Sequence, residues 1–267
     1  MNIDGATRLY AIIGDPVVQV RSPSVYTEHF ARNDINAVLF AAQASSDAFD
    51  TAMRGLMSLG NLDGLLVTSP HKTAALAFAD RLSTRAQIVG AINALRREAD
   101  GSWTGDMFDG VGFVSAARKV TSIESKRVLL FGCGGAGAAI AAEMAAHGAR
   151  SISLVDPDAQ RARALRDALA AHFGACDVSI GNDGGAHEIV VNASIVGMKD
   201  ADGLPGDPGA IGTESLVGDV VLRPSASPTT LVALARERGA HVVTGQEMHS
   251  GQIDAIAEFF GAHQGAR

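Results

Sequence analysis

Residues 126–148 read Lys126-Arg127-Val128-Leu129-Leu130-Phe131-Gly132-Cys133-Gly134-Gly135-Ala136-Gly137-Ala138-Ala139-Ile140-Ala141-Ala142-Glu143-Met144-Ala145-Ala146-His147-Gly148. Four consecutive apolar residues predict a buried parallel strand, the next six a glycine turn, and the alanine-rich run a helix ending at Gly148. Gly132, Gly134 and Gly137 fit G-x-G-x-x-G, in which glycines permit a tight turn, let the backbone approach a pyrophosphate and allow helix to pack closely on strand. The pyrophosphate would rest on the amides of the helix N-terminus. A plain strand-to-helix turn wants the same glycines, so the next strand matters. Ser151-Ile152-Ser153-Leu154-Val155 ends at Asp156, 24 residues beyond Gly132. That is near the ~20 expected for an acidic residue holding an adenine ribose, and it favours a dinucleotide site.

Working outward, apolar runs alternate with helical patterns along the whole chain. Arg8 to Ile13, Ala37 to Ala42 and Gly64 to Thr68 read as strands, and segments ending near Asn33 and spanning Asp47 to Leu59 read as helices. Ser69-Pro70-His71-Lys72 turns into another helix, Ser83 to Ile92 forms one more, and Ala94–Arg97 with Ser102–Thr104 reads as a hairpin across Asp100-Gly101. Such alternation predicts an α/β chain with a parallel sheet. After Gly105-Asp106-Met107-Phe108-Asp109-Gly110 a helix runs to about Val120, with a domain boundary placed near Asp109. Beyond Asp156 follow a helix Ala159 to His172, a strand Glu188 to Asn192, a Gly/Pro/Asp-rich loop to Thr213, a strand Val217 to Leu222, a helix Pro228 to Gly239, a strand His241 to Thr244 and a last helix Met248 to Phe260.

At 267 residues the chain can bury a large core. Its net charge of −7, without a basic cluster, argues against nucleic acid as a partner. Met1 to Gly5 lacks a basic segment leading into an apolar core, and Glu143 and His147 interrupt the alanine-rich helix, so no membrane span and a cytoplasmic location are expected. Cys133 and Cys176 lack metal-ligand spacing. His71 and His249 read as surface or packing residues, and no H-E-x-x-H pattern points to a metal.

Several ordered segments carry a family resemblance. Gly14-Asp15-Pro16 leads to Arg21-Ser22-Pro23, followed by Val67-Thr68-Ser69-Pro70-His71-Lys72, Gly90-Ala91-Ile92-Asn93, Gly105-Asp106 to Asp109-Gly110, the glycine turn, and Gly245 to Gln252. Over nearly its whole length the chain resembles the shikimate dehydrogenase family, which interconverts 3-dehydroshikimate and shikimate with a nicotinamide cofactor. The resemblance implies an N-terminal parallel or mixed α/β catalytic domain, residues 1–108 completed by 246–267. It also implies a Rossmann domain, 109–245, with the active site in the cleft between them. It implies a catalytic pair, Lys72 and Asp109, and substrate contacts from Ser22, Thr68, Asn93 and Gln252. Gly132, Gly134, Gly135, Ala136, Gly137, Asp156, Asn192 and Gly245 are the expected cofactor contacts. Taken as bare residues, Lys72 is a solvated helix lysine, Asp109 a helix N-cap, and Ser22 a cap before Pro23. The partner implied is a small cyclic hydroxy acid, bound by a monomer or homodimer.

The sequence departs from the family pattern at points that bear on specificity. Val20 replaces a hydroxyl residue, Leu66 an asparagine, Met107-Phe108 an Asn-Thr pair, and Leu222 a tyrosine. Each change removes a polar group expected to face a polyhydroxylated ring, where an unpaired hydroxyl costs ~1–3 kcal/mol. Gln19, Arg21 and Arg223 are the neighbouring candidates for a replacement anion contact. Where NADP-using members carry Asn-Arg-Thr and a further Arg, this chain has Asp156-Pro157-Asp158 and Arg161. Carboxylates repel a 2′-phosphate and accept from a ribose diol, so NAD is expected over NADP, which Arg161 and Arg163 leave possible. The alternatives are a divergent paralogue acting on another cyclic hydroxy or amino-hydroxy acid, and a non-catalytic dinucleotide-sensing module.

Overall fold

The computed structural model describes residues 3–182 and 184–261. The chain divides into two compact units, Met1–Phe108 with Ile253–Arg267, and Asp109–Gln252. The first holds β1 (Arg8–Gly14), α1 (Ser22–Arg32), β2 (Ala37–Gln43), α2 (Phe49–Met57), β3 (Leu62–Val67), β4 (Arg81–Leu82), α3 (Thr84–Val89), β5 (Ala94–Arg97) and β6 (Trp103–Asp106). In the second lie α4 (Asp109–Ala117), β7 (Arg127–Phe131), α5 (Gly135–Ala146), β8 (Ser151–Val155), α6 (Ala159–His172), β9 (Asp177–Ile180), β10 (Ile189–Asn192), β11 (Leu216–Asp219), α7 (Thr230–Glu237), β12 (His241–Thr244) and α8 (Gly245–Gly251). The chain returns to the first unit with α9 (Ile253–Phe259).

The first unit's sheet runs β2-β1-β3-β5-β6-β4. β1 pairs in parallel with β2 and β3, while β5 is antiparallel to both β3 and β6. The sheet is therefore mixed, because the hairpin at Asp100-Gly101 can return only antiparallel. Tyr10, Ala11, Ile12 and Ile13 are all buried, as expected of a strand covered on both faces. The α9 helix covers this sheet, with Phe260 beside Tyr10 at 4.9 Å between ring centroids.

The second sheet is wholly parallel, in the order β12-β11-β10-β7-β8-β9. Counted within the unit this is 3-2-1-4-5-6, the doubly wound dinucleotide-binding order, with its switch point between β7 and β10. α5 is buried along almost its whole length, which explains its alanines: small side chains let helix and sheet backbones approach. α4 lies so near α5 that a Cβ on Gly110 would come within 2.1 Å of the Ala139 carbonyl oxygen.

Several local expectations changed. After Lys72 the chain makes only a 3₁₀ turn, Ala74–Phe78. α3 stops early because Gly90 adopts a left-handed conformation (φ 65°) and closes the helix. The single C-terminal helix is two, broken at Gln252, and α8 begins at Gly245 because Thr244 and Glu247 form a capping box. Among the described residues no helix is long and apolar enough to cross a membrane.

Candidate active site and dinucleotide turn

In the first unit the residues expected to meet substrate gather at the carboxyl ends of β1 and β3, where open α/β sheets place their ligands. Thr68 follows β3 directly, and Gly14 ends β1 so close by that a Cβ there would strike the Thr68 methyl at 2.3 Å. The Val67 amide donates to the Asn93 carbonyl at 2.8 Å, and the Ile92 amide to the Lys72 carbonyl at 3.0 Å. Thr68, Lys72 and Asn93 thus share one corner of the sheet, though 25 residues separate the first from the last. Asn93 is buried, and its Oδ1 accepts the Phe108 amide at 2.9 Å. Lys72 is half-buried.

Ser22 is the first residue of α1 and is buried; Arg21 occupies the N-cap without a side-chain cap bond. Ser22 is therefore not the cap that its place before Pro23 offered. Among the departures from the family pattern, Leu66 and Met107 are buried, Val20 is half-buried and Leu222 is 60% exposed. Met107 follows Asp106, a buried carboxylate that Arg85 grips through Nε at 2.8 Å and Nη2 at 2.7 Å. The same guanidinium lies 4.7 Å over the Phe108 ring, a cation–π contact. Phe108 is thus fixed in place by Asn93 below its amide and Arg85 above its ring.

In the second unit Asp109 opens α4 and is buried, while Gln252 is buried with Nε2 3.4 Å from His249 Nδ1. The glycine turn follows β7. Gly132 has φ 92°, and a Cβ there would sit 2.7 Å from the Ser194 nitrogen; on Gly137 it would fall 1.9 Å from the Gly132 carbonyl oxygen. Both glycines are required by folding alone. Gly134 is different: it caps α5 at φ −72°, ψ −173°, and nothing lies within 4 Å of a Cβ built on it. Extended backbone of this kind suits any residue, so the open space above Gly134 and the free amides at the α5 N-terminus fit a pyrophosphate.

Asp156 closes the turn. Its Oδ2 accepts the Cys133 amide at 2.7 Å and its Oδ1 the Asp158 amide at 2.8 Å. The side chain is only 3% exposed, and burial beside it pushes the Cys133 thiol up to about 12, so that cysteine stays an unreactive thiol. Asp158 caps α6 by accepting from Gln160 and Arg161, which hold its carboxyl below the usual range. Arg161 lies 3.6 Å from an oxygen of each of these two carboxylates.

Asn192, expected from sequence as a cofactor contact, anchors a network at the carboxyl ends of β10 and β11 whose other members, Asp219 and Thr229, no sequence pattern marks. Asn192 Oδ1 accepts from the Ser194 amide and hydroxyl, and its Nδ2 donates to Val196 and to Asp219. Asp219 also accepts from Thr229 Oγ1 at 2.6 Å and from the Val221 amide at 3.0 Å. Burial raises the Asp219 carboxyl above its ordinary value. Arg223 donates to Ser227, to the Met198 carbonyl and to Asp200, so it ties two loops together rather than offering an anion contact. Gly245 packs a bare backbone against Val220, where a Cβ would lie 2.5 Å from the carbonyl oxygen.

Comparison with known proteins bears on both units. Residues 12–95 match the model of the shikimate dehydrogenase substrate binding domain. A relative from Rubrobacter xylanophilus, named shikimate dehydrogenase (NADP(+)), is 36% identical across 92% of this chain and 88% of its own. Shikimate 5-dehydrogenase from Listeria monocytogenes, solved with shikimate and NAD, superposes with a TM-score of 0.85 at 27% identity, covering 98% of this chain and 93% of that one. Quinate dehydrogenase from Corynebacterium glutamicum, in complex with NAD, gives 0.83 at 28% identity, with 96% and 94% covered.

Proposed function

This chain belongs to the shikimate dehydrogenase family, and from that premise we propose that it transfers hydride reversibly between a nicotinamide dinucleotide and a cyclic hydroxy acid. The substrate pair is 3-dehydroshikimate and shikimate, or a near relative such as quinate. The observation that carries the reading is the glycine turn, where Gly134 keeps open a space that folding does not need. Gly132 to Gly137 and the start of α5 hold the pyrophosphate, and the region of Asp156 and Asp158 faces the adenosine end. The bound dinucleotide supplies the two-electron acceptor or donor.

The protein's own part is the proton. When an alcohol carbon gives up hydride its hydroxyl must lose a proton, and the reverse reaction must return one to the ketone oxygen. Lys72 is assigned that transfer, and Asp109 is assigned as the carboxylate that orients it. Ser22, Thr68, Asn93 and Gln252 are the assigned hydrogen-bonding contacts to ring substituents. With Leu66 and Met107 in place of polar family residues, a ring with fewer hydroxyls than shikimate loses less on binding.

For the cofactor we favour NAD. Two carboxylates, Asp156 and Asp158, stand where a phosphate clamp would be, and Arg161 lies 3.6 Å from an oxygen of each, its charge shared between both. Each Asp156 oxygen keeps a second lone pair after accepting its amide, enough to take a ribose hydroxyl.

The test offers purified protein shikimate and quinate with NAD and with NADP, and follows absorbance of the reduced nicotinamide. Turnover is expected, with the higher kcat/KM for NAD, and Lys72→Ala should abolish it while dinucleotide binding persists. Dinucleotide binding without turnover of any polyol acid would instead make the chain a sensing module.

A further inference from the structure

We infer that His71 is the positioning residue for Lys72, an inference that rests on the proton-transfer role proposed above. The histidine is 2% exposed. Its Nε2 lies 2.7 Å from the Ala44 carbonyl oxygen, and its ring stacks on Phe49 with centroids 4.2 Å apart and planes 17° from parallel. A carbonyl can only accept, so Nε2 carries the proton and the tautomer is fixed.

That bond closes a circuit. The Ala44 amide donates to Gly14 at 3.1 Å, and the Asp15 amide to Ser69 at 3.0 Å. The carboxyl ends of β1, β2 and β3 are thereby joined through Gly14, Ala44, His71 and Ser69, with Lys72 the next residue along the chain. From the other side the Lys72 carbonyl is held by Ile92. Phe49 in turn meets Phe78 edge-on at 5.7 Å, which fixes the end of the 3₁₀ turn after the lysine. Filling this space needs only a flat apolar ring; the nitrogen is needed to hold the turn in register. A general acid–base must reach its proton within about 2.6–3.2 Å, and a misplacement of about 1 Å costs about a hundredfold in rate.

His71→Phe keeps the stack and removes the donor, whereas the amide of His71→Gln can still reach Ala44. Both are compared with Lys72→Ala for kcat, KM, pH profile and dinucleotide Kd. His71→Phe is expected to bind the dinucleotide as the parent does, with kcat down about 30- to 100-fold and the pH profile of kcat displaced. His71→Gln should recover to within about fivefold. A His71→Phe enzyme within threefold of the parent kcat, alongside an inactive Lys72→Ala, would overturn the positioning role alone. Full turnover by Lys72→Ala would remove the proton-transfer reading and this role with it. Should His71→Phe fail to fold, His71→Asn, too short to reach Ala44, replaces it under the same criteria.

Discussion

Replacing Gly134 with alanine separates what the glycine turn does for folding from what it does for a ligand. At φ −72°, ψ −173° the residue needs no glycine, and the added Cβ meets no atom within 4 Å. The folded state therefore gains no strain, while the unfolded chain loses freedom, a change worth about 0.4–1 kcal/mol in favour of folding. For a chain of this size that raises Tm by up to about 4 °C. A bound pyrophosphate meets the methyl group instead. Crowding a packed contact by one methyl costs about 1–3 kcal/mol, which at 1.4 kcal/mol per decade weakens dinucleotide binding about 5- to 150-fold. Calorimetric titration with NAD and a thermal melt of the same preparation read both quantities. Unchanged affinity in a well-folded Gly134→Ala protein would refute the assignment of that space to the pyrophosphate. A large fall in Tm would refute the account of the turn itself. Gly137→Ala is the contrast, since its Cβ would fall 1.9 Å from the Gly132 oxygen and must disturb the fold.

Two further outcomes follow from the electrostatics. Asp158→Ser keeps an oxygen to cap α6 but removes a negative charge, and the loss of its repulsion toward a 2′-phosphate should raise the NADP to NAD ratio of kcat/KM severalfold. A ratio unmoved within twofold in steady-state assays would take Asp158 out of cofactor choice. For Asp219, burial raises the carboxyl pKa in the folded protein, so the fold prefers the neutral acid. That contribution is complete below the unfolded value of about 3.9 and is lost as pH rises through the raised folded value. Asp219→Asn stays neutral throughout, so its stability relative to the parent should improve between about pH 4 and pH 7 in urea melts; an equal difference at both ends contradicts the desolvation argument.

The strands that sequence reveals are those covered on both faces. Val128 to Phe131 and Ile189 to Val191 are uninterrupted apolar runs because each lies between neighbours inside a parallel sheet. β9, with Asp177 and Ser179 in it, has no such run, and it is a strand only because β8 offers it a ladder. β4 is two residues against β6 and has no pattern to detect. Helix ends divide likewise: in the structure Ser83 and Asp158 cap α3 and α6 with their side chains, whereas the break at Gln252 follows no proline.

At the candidate site, spacing exposes residues whose type and interval form a motif and conceals groups whose partners are main chain. The glycine turn is legible because strand, turn and helix pack so closely that Gly132 and Gly137 can carry no side chain. Asp156 is legible too, but its grip on the Cys133 and Asp158 amides is not. His71 is the extreme case. Its partner is the carbonyl of an alanine 27 residues earlier, and any residue supplies a carbonyl, so no side-chain pattern marks the pair. Such bonds join strand ends that only the sheet brings together, and they hold the turn on which Lys72 sits.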